Sequence, residues 1–113
     1  MTLNKQIVTK YMDTYAANDD AAVAACLTDN VIWEMPGFFN ISGKEAFMKE
    51  KHNPAAVGNT RIQVSRLTEE NNVVVAEGTV QSEKTSGGWL HGVFCDVFEM
   101  ENGKIRKLIS YFM

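Results

Sequence analysis

The sequence predicts an α+β domain, three helices in the first half packed on a curved antiparallel or mixed β-sheet built from the second half. Three observations carry that prediction. Apolar residues repeat with helical spacing only before residue 52; after residue 60 they alternate with polar ones; and the alternating segments are separated by the turn signals Asn71-Asn72, Ser86-Gly87-Gly88 and Asn102-Gly103. Segregated helices and strands define this fold class. A chain of 113 residues supports one core, so residues 1–113 are read as a single domain.

The first helix runs from Leu3 to Ala17, with Ile7, Val8, Tyr11, Met12 and Tyr15 on one stripe. Asn18-Asp19-Asp20 interrupts it, and Asp20 is placed to cap a short Ala-rich helix through Val23 and Leu27. Thr28-Asp29-Asn30 reads as a turn. Val31, Ile32 and Trp33 then open a strand that Pro36-Gly37 stops. Ser42-Gly43-Lys44-Glu45 has the form of a capping box, so a third helix is expected from Lys44 to about Lys51, ended by Asn53-Pro54. After a small-residue link, Ala55 to Asn59, come strands at Thr60–Glu69, Val73–Lys84, Trp89–Met100 and Lys104–Phe112. Asn102-Gly103 is the strongest hairpin signal among them.

Composition excludes several function classes. The net charge is -3 and the eleven basic residues are scattered, which argues against a nucleic-acid or anionic-membrane surface. No apolar run approaches membrane-spanning length and no signal peptide is evident. Cys26 and Cys95 belong to no metal-ligand spacing and are read as free thiols. A cytoplasmic location is the resulting expectation. P-loop, dinucleotide-binding, nucleophile-elbow and metal-cluster patterns are missing, so no cofactor and no metal is expected.

Alternation in the strand from Trp89 puts Leu90, Gly92, Phe94, Asp96 and Phe98 on one face and Trp89, His91, Val93, Cys95 and Val97 on the other. Both faces are largely apolar. Helices can cover only one, so the outer face is expected to pair with a second copy, giving a homodimer. His91 falls on that outer face.

Glu34 stands among the bulkiest apolar residues of the chain, Val31 to Gly43. Loss of water there would raise its pKa and suit it to general acid–base work. The same alternation also fits a plain strand, with Ile32 and Glu34 facing opposite to Val31, Trp33 and Met35.

The order of elements, with Lys10-Tyr11-Met12 in the first helix, Asp29 to Gly37 followed by Ser42-Gly43, and Phe94-Cys95-Asp96-Val97-Phe98 before Asn102-Gly103-Lys104, resembles the NTF2-like superfamily of cone-shaped domains. Within it the pattern is similar to ketosteroid isomerases and to the SnoaL-like cyclases and isomerases. The resemblance implies a small cofactor-independent enzyme that moves a proton on an apolar, steroid- or polyketide-like carbonyl ligand. Glu34 matches the position of the catalytic base, Tyr11 that of a donor to the substrate oxygen, and Asp96 that of a second, protonated donor. Glu34 stands where the isomerases have Asp, and the cyclases' acid/base Asp near the chain end has no counterpart in Ser110-Tyr111-Phe112-Met113. Trp33, Met35, Phe38, Phe39, Phe94, Phe98 and Phe112 are the expected ligand contacts, although aromatic and Met side chains at such positions also serve as core filler. A binding or dimerisation module on the same fold, and a SnoaL-like cyclase or hydratase, are the alternatives.

Overall fold

Helix α1 (Leu3–Ala16) starts at Thr2, whose hydroxyl accepts from the backbone N–H of Lys5 at 3.2 Å. Helix α2 (Asp20–Ala25) is capped by Asp19, which accepts from the Ala22 N–H at 3.2 Å; the cap is one residue earlier than expected, and Asp20 is left free to reach other partners. The computed structural model describes residues 1–52 and 60–113, so the expected Asn53-Pro54 stop and the link through Asn59 lie outside the described residues.

Strand β1 (Leu27–Met35) begins four residues earlier than the turn residues Thr28-Asp29-Asn30 suggested. Those residues are absorbed by a register shift between Leu27 and Ile32, where β1 leaves and rejoins its neighbour. Pro36-Gly37 makes a tight reversal, closed by the Phe38 N–H on the Met35 carbonyl at 2.9 Å, and β2 (Phe39–Ser42) returns antiparallel on β1. Helix α3 (Lys44–Lys51) follows. Its N-cap is Gly43 and no side chain caps it, because Ser42 is held in the strand pairing opposite Ile32.

The other strands are β3 (Thr60–Glu70), β4 (Val73–Glu83), β5 (Trp89–Glu101) and β6 (Lys104–Phe112). They form one six-stranded sheet in the order β2-β1-β6-β5-β4-β3, with β1 parallel to β6 and all other pairs antiparallel. Asn71-Asn72 and Asn102-Gly103 sit at positive φ in the two-residue hairpins, the backbone that matches the twist of the flanking strands.

The inner face carries Val31 and Trp33 of β1, Leu108 and Ser110 of β6, Phe94 and Phe98 of β5, and Val74 and Ala76 of β4, all buried. Helix α3 lays Phe47 on this face, stacked on Trp33 at 4.4 Å between ring centroids, and α1 lays Tyr11 edge-on to Phe98 at 5.5 Å. Helix α2 packs against α1. A curved mixed sheet with three helices on its inner face is the cone the sequence predicts, and at its wider end the two layers part.

Candidate active site

Where α1 and the sheet diverge they enclose a cavity of about 210 Å³. Helix α1 contributes Tyr11, Met12 and Tyr15, and Asn18 follows just beyond it. Lys51 comes from the end of α3, and the sheet supplies Trp33, Met35, Ile62, Val80, Phe94, Asp96, Ser110 and Phe112. The wall is therefore mostly apolar with a few polar groups turned inward, the make-up of a small-molecule site.

Asp96 is the one carboxyl among the described residues lining this cavity. It sits on β5 opposite Ala76 and Ser110, two small residues that leave room around it. It is half-buried on the cavity wall, and desolvation pushes its pKa from 3.8 up to about 7, against the opposing effect of a hydrogen bond from Ser110. Ser110 is itself buried, and its hydroxyl accepts from Trp33 Nε1 at 3.0 Å. That bond leaves the hydroxyl hydrogen for Asp96 and fixes the Trp33 ring against the cavity.

Tyr11 stands across from this group. Burial raises its phenol well above the usual value, and the nearby Tyr15 and the Asp96 carboxylate raise it further. Burial likewise pushes Tyr15 up to about 12. Both phenols therefore stay protonated throughout the neutral range and are available as donors. The two rings lie 5.7 Å apart.

The structure brings Tyr11 and Asp96 together and leaves Glu34 apart from them. Trp33 pairs with the buried Leu108 and turns inward, so Glu34, paired with Ile109 and Asn40, falls on the opposite face of β1 and lines no part of the cavity. The reason is the pleat: with Trp33 fixed inward, the next residue of an extended strand must face out. Four of the seven expected apolar contacts, Trp33, Met35, Phe94 and Phe112, line the cavity. The other three do not. Phe98 is fully buried beneath Tyr11, Phe39 packs its ring edge-on to Trp33 at 5.2 Å from β2, and Phe38 is 79% exposed at the β1–β2 reversal. Phe38 instead borders a second, larger hollow of about 550 Å³ beside Glu77, Cys95 and Tyr111. The Glu77 carboxylate there pairs with Arg66 at 2.6 Å.

Sequence reasoning missed Ser110, Tyr15 and Lys51 as lining residues. Ser110 was detectable in principle, since it shares the inward parity of Leu108 and Phe112. Lys51 was not, because a lysine in the last turn of a helix normally reaches solvent. Among the described residues, no cluster of His, Cys, Asp and Glu is arranged to hold a metal ion, and no helix is long and apolar enough to cross a membrane.

Three helices on the inner face of a curved six-stranded mixed sheet define the fold class as NTF2-like, and comparison with solved structures supports that class. An NTF2-like protein of unknown function from Burkholderia pseudomallei superposes with a TM-score of 0.91 at 21% identity, over 100% of this chain and 92% of its own. An LEH-like epoxide hydrolase of M. tuberculosis gives 0.88 at 21% identity, over 98% and 83%. TerC, co-crystallized with polyporic acid, gives 0.89 at 18% identity, over 99% and 92%. At such identities the likeness is one of fold. Among curated proteins none matches. The sequence profile of the SnoaL-like domain matches residues 8–108, and the chain belongs to that family.

Proposed function

We propose that this protein is a cofactor-independent enzyme of the isomerase type that moves a proton on a small apolar carbonyl compound, with Asp96 as the proton shuttle and Tyr11 as the donor to the carbonyl oxygen. The observation that carries this reading is the meeting of Asp96 and Tyr11 in one largely apolar cavity from which Glu34 is turned away. A base that titrates near neutrality is suited to take a proton and return it. In its ionised form Asp96 removes a proton from the carbon next to the carbonyl. The electron pair of that C–H bond moves onto the oxygen, where the Tyr11 hydroxyl stabilises the enolate. Asp96 then returns the proton two carbons further along, and a β,γ double bond becomes conjugated. Ser110, held by Trp33, keeps the carboxylate aimed.

A volume of about 210 Å³ lies below the roughly 300–1,000 Å³ of pockets for drug-sized ligands. That favours a substrate smaller than a steroid. Hydration of an epoxide is supported less well, because the described lining residues include a single carboxyl and no Arg.

Isomerisation of cyclohex-3-enone, followed by the absorbance of the conjugated product, tests the assignment. Asp96→Asn is expected to lower kcat/KM by about 100- to 10,000-fold, the usual contribution of a positioned acid–base group. Glu34→Gln is expected to leave it within about twofold. The reverse pattern would return the base to Glu34.

The homodimer expected from the outer face is part of the same proposal. Val75, Val97 and Ile109 lie on the face turned away from α1 and α3, beside Val93 and Tyr111, which are 52% and 48% exposed.

A further inference from the structure

Lys51 has no part in the proton transfer, yet its side chain is only 2% exposed and lines the cavity. Lysines are almost never buried without a reason in charge pairing. Its Nζ meets Asn18 Oδ1 at 3.1 Å and Asp20 Oδ1 at 3.2 Å, and lies 4.8 Å from the centroid of the Tyr15 ring. The counter-ion is a weak one on the cavity side. Asp20 is 47% exposed and gives its second oxygen to His52 Nε2 at 2.7 Å, so its charge is shared between two partners and screened by water. Among the described residues two oxygens and the Tyr15 ring face Lys51 Nζ, and no third oxygen is among them. The helical wall of the cavity thus includes a positively charged residue, and the sheet wall includes Asp96.

We propose that Lys51 selects the substrate class: among small ketones, the site takes those that carry a second, anionic oxygen group, a carboxylate in the simplest case. The inference rests on the reading that the ketone end lies at Asp96 and Tyr11. A carboxylate at the other end then accepts the third hydrogen of Lys51, and a charge-assisted bond in a desolvated site is among the stronger polar contacts available. A lysine that only tied α3 to α2 through Asp20 would confer no such preference.

The test compares 4-oxo-4-phenylbutanoate with its uncharged amide, 4-oxo-4-phenylbutanamide, by titration calorimetry and by Trp33 fluorescence. The wild type is expected to bind the carboxylate at least about tenfold tighter. Lys51→Met should erase the preference while keeping the affinity for the amide, and Lys51→Arg should retain part of it. Equal binding by the wild type, a preference that survives in folded Lys51→Met, or no saturable binding of the carboxylate would each overturn the proposal. If Lys51→Met does not fold, the 13Cε resonance of Lys51 in the wild type decides: it should move with the carboxylate and not with the amide, and an unmoved resonance refutes the contact. Turnover of cyclohex-3-enone, which has no anionic group, is measured in parallel with Asp96→Asn. Its loss in that variant upholds the proton shuttle whatever the binding data give, so the two readings fail separately.

Discussion

Asp96 is governed by two opposed neighbours at the scale of a single residue: the apolar wall that strips its water and the Ser110 hydroxyl that returns part of what water supplied. Burial wins, and stability becomes linked to pH. Between 3.8 and about 7 the folded protein holds a proton that the unfolded chain has released. Unfolding therefore becomes easier as pH rises through that window. The penalty is complete above about pH 7, on the order of 4 kcal/mol for a shift of this size, and absent below the unfolded value. Asp96→Asn, which keeps the shape without the charge, should accordingly raise the melting temperature at pH 8 and leave it close to the wild type at pH 4. Melting curves at the two pH values check this, and equal shifts at both would show that the carboxylate is not buried as described. Glu34 shows why the residue scale was only half legible in the sequence. Alternation in β1 put it opposite Trp33, while the family pattern put it in the pocket, and the pleat prevails because Trp33 is locked inward by Phe47 and Ser110. The inward placement of Tyr11 and Asp96 in the cavity was legible because their own parity and the pattern agreed.

Elements were legible where the signal was local. The Asn-rich hairpins and the stripe of α1 appear where the sequence puts them. Strand β2 is local to the Pro36-Gly37 reversal, which was read only as the stop of β1; the parallel pairing of β1 with β6 was not foreseeable, since it depends on which edge meets which after the chain has travelled through α3 and the strands that follow it. The β3–β4 pair adds a device of the same kind. A register shift in β3 between Val64 and Arg66 brings the Gln63 carbonyl to 2.0 Å from where a Cβ on Gly78 would stand. Only a glycine fits against that backbone. A Cβ on Gly92 would also be crowded, 2.3 Å from the Phe112 ring, but that ring is 42% exposed and can swing aside. Gly78→Ala is thus expected to destabilise by at least about 1–3 kcal/mol in urea denaturation, and Gly92→Ala by less. A larger loss at Gly92 would mean that Phe112 is held more firmly than its exposure implies.

On the scale of the whole molecule, the inner face closes on the helices and the cavity, and the proposed homodimer uses the outer face. If a second copy pairs there through Val75, Val93, Val97 and Ile109, sedimentation velocity at micromolar concentration gives a dimer that Val97→Lys converts to a monomer. A wild-type monomer would refute the pairing. The function proposed for the cavity depends on one proton equilibrium, and the 13Cγ resonance of Asp96 followed by NMR from pH 3 to pH 9 reads that equilibrium directly. A titration midpoint near 7 is the predicted result; a midpoint at the ordinary carboxylate value of about 4 would contradict the account.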